Sequence, residues 1–125
     1  MFAFYDLMSG EILSLVQTSS QPAAPSGHGY VVYDHDKSDM HKYEVLNGEL
    51  QKKAQSKIDA IELAEAQEKL RRKRNQVLAN TDWTQSPDSP LSDAKKAEWR
   101  SYRQALRDLP ANTTDPANII WPSKP

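Results

Sequence analysis

The chain has 125 residues, of which 38% are apolar, with no cysteine and a formal net charge of −1. That length admits one domain or two small ones with a modest core, and the missing thiols exclude disulfides and cysteine-ligated metals. The near-neutral balance excludes a strong overall attraction to nucleic acid or to an anionic membrane.

The start, M-F-A-F-Y-D-L-M, has no basic segment and is broken by Asp6. It does not read as a secretory signal, and no apolar run approaches the roughly 20 residues that span a bilayer, so a cytosolic product is expected. Residues 2–5 and 11–16 are apolar at alternate positions and flank Met8-Ser9-Gly10, the pattern of a hairpin. Residues 18–29 are rich in Pro, Ser and Gly and form a loop. Residues 29–33 and 41–46 read as a third and fourth strand, and Asn47-Gly48 between the latter and residues 49–51 signals a tight turn into a fifth.

Residues 52–80 contain neither Gly nor Pro and are dominated by good helix formers, so a long helix is expected there. Leu63, Leu70 and Val77 recur every seven residues, a narrow stripe that either packs within the chain or mediates self-association through the 52–80 helix. A turn-rich connector with Trp83 follows, and Ser92 or Asp93 then starts a second helix. Trp99, Tyr102, Leu106 and Leu109 share one of its faces. Lys95, Lys96, Arg100, Arg103 and Arg107 are assigned to the rest, and Pro110 to its end. The tail, residues 111–125, offers Ile119, Ile120 and Trp121 as anchors. Trp83 and Trp121 are expected to close on the Trp99/Tyr102 face, because each tryptophan buries about 200 Å².

Nothing here spells catalysis. Asp34, His35, Asp36, Asp39 and His41 form the one metal-like cluster, but a calcium loop beginning at Asp34 would have Asp39 where glycine is needed and Val45 where the bidentate glutamate belongs. The histidines lack helical zinc spacing, so neither a metal nor another cofactor is expected. Ser86, Ser89 and Ser92 lie far in sequence from every histidine, and no nucleophile elbow or phosphate loop is present. Arg71, Arg72, Lys73 and Arg74 sit in the one cationic region, where residues 51–80 hold eight cationic against four acidic side chains. Four consecutive cations point around most of a helix and have no stacking aromatic beside them, which argues against nucleic-acid binding.

From Arg74-Asn75 onward the chain carries Leu78-Ala79, T-D-W-T-Q at 81–85, Pro87-Asp88, Pro90-Leu91, then W-x-x-Y-R-Q-A-L-R-D-L from Trp99 to Leu109, and Pro116, Asn118 and Trp121-Pro122. This ordered series, from about residue 72 to 125, resembles the carboxyl-terminal region of tail-fibre assembly proteins and tail assembly chaperones of tailed bacteriophages. The resemblance implies a non-enzymatic helper that binds the distal region of a trimeric tail-fibre protein in the host cytoplasm and assists its folding and trimerisation. The alternative is a permanent part of the virion that caps the fibre tip and contributes to receptor contact. Either role suits a client whose strand edges stay unpaired until three chains register.

The expected architecture is α+β: an amino-terminal antiparallel sheet at 1–51, a long connecting helix at 52–80, and a small helical Trp-rich module with an extended tail at 81–125. Alternation in the strands offers Tyr30, Val32, Tyr43 and Val45 as a surface that could receive a client strand. Trp83, Trp99, Tyr102, Leu106 and Trp121 are expected to form the module core, or else an alternative partner face.

Overall fold

The computed structural model describes all 125 residues and is an α+β protein in two compact units, Met1–Ile61 and Glu62–Pro125. In the first unit, β1 (Phe2–Asp6), β2 (Ile12–Val16) and β3 (His28–Val32) form an antiparallel sheet in the order β2-β1-β3. The turn after β1 is built by Asp6, whose carboxylate accepts hydrogen bonds from the Met8 and Ser9 amides at 3.0 and 2.8 Å. Gly10 then enters the left-handed region at φ 70°, and its carbonyl accepts the Val45 amide at 2.8 Å. A Cβ at this position would lie 2.1 Å from the Val45 carbonyl oxygen, so the contact requires glycine.

A 3₁₀ helix spans Lys37–Lys42, so the fourth strand starts at Tyr43 instead of His41. The cause is local: Asp36 accepts from the Ser38 amide and hydroxyl at 2.8 and 2.6 Å, which caps the turn. β4 (Tyr43–Leu46) and β5 (Glu49–Lys52) then pair through Asn47-Gly48, both at positive φ as the expected two-residue turn demands. Ala3, Tyr5, Ile12, Tyr33 and Val45 make the core of this unit, with Leu15, Val31, Met40, Tyr43 and Leu50 packed around it. Each large apolar side chain fully withdrawn from water contributes about 1.5–3 kcal/mol.

The long helix α1 (Gln55–Asn80) begins three residues later than expected because β5 runs to Lys52. Its first two turns belong to the first unit, where Ile58 is buried and Lys57 pairs with Glu44. In the second unit, α1 is followed by a short 3₁₀ turn (Asp82–Gln85) and by α2 (Asp93–Asn112). Ser92 caps α2 by accepting the Lys95 amide at 3.2 Å, and Asp93 complements the dipole. Pro110 lies inside α2, not at its end. Proline removes one amide and leaves the Leu106 carbonyl without its helical donor, yet the last turn persists to Asn112 and Thr113 closes it with a 2.6 Å bond to the Leu109 carbonyl.

Candidate functional site

The carboxyl-terminal end of α1 meets α2 through side chains from T-D-W-T-Q and from Arg103. A helix leaves its last carbonyls without intrahelical partners, and the negative end of its dipole favours a cation. Arg103 supplies both needs. Its Nη1 donates to the Leu78 carbonyl and to Thr81 Oγ1, each at 2.7 Å, and its Nη2 pairs with Asp82 Oδ1 at 2.5 Å. The guanidinium is buried although its residue was assigned to the exposed face of α2. The cationic run Arg71–Arg74 sits about two turns earlier and does not complement this helix end.

The threonines complete the joint. Thr81 Oγ1 lies 3.1 and 3.0 Å from the Val77 and Leu78 carbonyls, and buried Thr84 donates to the Thr81 carbonyl at 2.6 Å. Gln85 reaches across to α2, donating to the Lys96 carbonyl at 3.1 Å. Three of the five residues of T-D-W-T-Q, Thr81, Asp82 and Gln85, thereby bond across to α2, and Thr84 braces them from within the motif. The fifth, Trp83, lies 6.3 Å from Trp99 between ring centroids and is still 51% exposed.

Trp99, Leu106 and Leu109 are buried on one face of α2, and Tyr102 is half-buried with its ring edge-on to Trp99 at 5.7 Å. Trp121 does not join them. It lies beside α1 with Ala66, Lys69 and Leu70, and Lys73 Nζ stands 5.0 Å from its ring centroid. Lys124 Nζ takes the place over Trp99 at 5.5 Å. The reason is the α1 stripe: Leu70 is 2% exposed beneath Pro110, Pro116 and the tail, whereas Leu63 remains 47% exposed.

In the first unit the four strand residues separate. Val45 is 3% exposed in the core and is withdrawn from any partner, and Tyr43 is half-buried between Tyr33 and His35, whose imidazole stacks on it at 4.3 Å. Tyr30 and Val32 do share an outward face. The register pairs Phe4 with Tyr30 and Phe2 with Val32, so these four, with Val16 opposite Phe2, lie on the side of the sheet away from Ala3 and Tyr5. Phe4 is sandwiched in aromatic contacts, 5.1 Å from Tyr30 and 4.9 Å from His28, while Val32 is 61% exposed.

The acidic loop is structural in its contacts. Asp36 is held below the usual carboxylate range by the Ser38 hydroxyl and amide, and burial pushes the Tyr33 phenol up. Nowhere do three histidine, aspartate or glutamate side chains converge as a metal would need, and no helix is long and apolar enough to cross a membrane.

Sequence reading missed Arg103, Thr81 and Thr84 as joint-forming residues, and Phe4 as the aromatic neighbour of Tyr30. A signal existed for Arg103: it stands four residues after Trp99 and therefore on the same helical face. Residues 67–125 match the family described as phage tail assembly chaperone protein. The matched region contains α2, the T-D-W-T-Q joint and the tail. No curated protein and no solved structure matches the chain.

Proposed function

We propose that this chain, whose residues 67–125 match the phage tail assembly chaperone family, is such a chaperone and acts without catalysis on a tail-fibre protein, binding its distal region and assisting its folding and trimerisation in the host cytoplasm. The observation that carries this reading is the match of residues 67–125 to that family. The joint supports a division of labour: the motif residues Thr81, Asp82, Thr84, Gln85 and Arg103 are spent on each other and on backbone carbonyls, which leaves the second unit as a scaffold. Client contact then falls to the first unit, whose outward sheet face carries Phe2, Phe4, Tyr30 and Val32. Val32 is exposed and the three aromatic residues are half-buried, so the face keeps apolar surface that another chain can cover.

The test is co-expression of the tail-fibre protein of the same phage with and without the chain, followed by measurement of soluble trimer and of co-purification. More soluble trimer together with a co-purifying chain is the expected result. No change in either measurement removes the proposal. Stoichiometric presence of the chain in purified particles would move the reading to a fibre-tip component.

A further inference from the structure

β3 is an outer strand of the sheet, and its free side has a defined hydrogen-bonding pattern. The Tyr33 amide donates to the Met1 carbonyl at 2.9 Å and the Leu7 amide to the Gly27 carbonyl at 3.0 Å, in the same register that pairs Ala3 with Val31 and Tyr5 with Gly29. Antiparallel ladders alternate, so the odd-numbered residues of β3 bond to β1 and the even-numbered ones direct N–H and C=O away from it. At the start of the strand the His28 amide turns back to the Pro25 carbonyl at 3.1 Å. Further along, the Tyr30 carbonyl accepts only a side chain, Gln21 Nε2 at 3.2 Å, from the loop between β2 and β3. That loop holds Pro22 and Pro25, which have no N–H to give, so it guards the edge without forming a ladder.

We infer that the free edge of β3 receives an extended strand of the fibre client, which bonds to the backbone of Tyr30 and Val32 and displaces the Gln21 side chain. The inference rests on the chaperone reading above and names its contact. Backbone groups left open at alternate residues are complementary to an extended segment, and half-buried Tyr30 with exposed Val32 gives that segment apolar neighbours on one side. The segment is uncharged or basic, because Asp34 and Asp36 follow β3 directly and the first unit carries eight acidic against five cationic side chains. A second copy fits less well, since it would bring another unit of the same negative sign to the edge.

Amide hydrogen exchange on the full chain, alone and with the tail-fibre protein of the same phage, tests this. On binding, the Tyr30 and Val32 amides should slow at least about tenfold, while the Val31 amide, already bonded to β1, changes little. Val32→Pro deletes one edge donor without touching the β1 ladder and should weaken binding about tenfold, whereas Val32→Thr, which keeps the amide, should bind within about twofold. Binding that leaves both amides unprotected overturns the edge contact and keeps the chaperone function. No binding at all overturns both. Protection that appears without fibre and grows with chain concentration assigns the edge to a second copy, and also overturns the inference.

Discussion

Arg103 shows how much a single cation can carry when its partners are backbone. Its guanidinium satisfies the Leu78 carbonyl, Thr81 and Asp82, and truncation would leave buried acceptors unpaired as well as removing the charge from the helix terminus. Arg103→Ala should therefore cost about 3 kcal/mol in urea unfolding of the second unit. Arg107→Ala, on the exposed side of the same helix, should stay within about 0.5 kcal/mol. Equal losses at the two positions would mean that the joint is not what holds the helices. Gly10 is the corresponding residue of the first unit. Gly10→Ala meets both a positive φ and the Val45 carbonyl, and should lower stability by at least about 2 kcal/mol, seen as loss of strand signal in circular dichroism on mild heating.

Among the elements, α1 and the tail have the least self-sufficient packing. α1 is a good helix former with most of its circumference in water, and the apolar positions it buries are Ile58 in one unit and Leu70 in the other. The tail after α2 has no regular structure and is held by Trp121 against Leu70 and Lys73. Removing that one aromatic anchor should free the segment. Trp121→Ala should speed proteolysis within residues 113–125 about fivefold, the effect of about 1 kcal/mol on a local opening, and leave the α2 signal intact. Unchanged cleavage would show that Pro116 and Ile119 hold the tail without it.

For the whole molecule, four side chains contribute to the response to pH in a defined direction. Asp6 is held below its ordinary range by the Ser9 amide, Asp36 by the Ser38 hydroxyl and Asp115 by the Asn118 amide group. Lowered folded values mean that the contribution of these carboxylates is complete above about pH 4 and is lost as pH falls through the lowered values. Tyr33 runs the other way: burial raises its phenol, so its contribution is complete below about pH 10 and is lost as pH rises further. These groups should accordingly lower the melting temperature as pH falls below about 4 and as it rises above about 10. Tyr33→Phe should flatten only the alkaline limb.

Local signals were sufficient wherever neighbours in the chain settle the outcome. The Asn47-Gly48 turn, the Ser92 cap, the Gly- and Pro-free helix and the shared face of Trp99, Leu106 and Leu109 are all decided by residues within a few positions of one another, and all were legible. The T-D-W-T-Q motif likewise lies within residues 67–125, the stretch that matches the phage tail assembly chaperone family. What could not be read was which side chains meet across the fold. Val45 alternates like an exposed strand residue, yet it is buried because it packs with Ala3, Tyr5, Ile12 and Tyr33 while the Gly10 carbonyl from another hairpin accepts its amide. Arg103 has the composition of a surface cation and the position of a core residue, and only the arrival of Leu78, Thr81 and Asp82, more than 20 residues earlier in the chain, makes its burial favourable. Trp121 settles on α1 for the same reason, because Leu70 needed cover. Alternation, capping and turn chemistry act through bonds between near neighbours, whereas burial is settled by the energy of the completed fold.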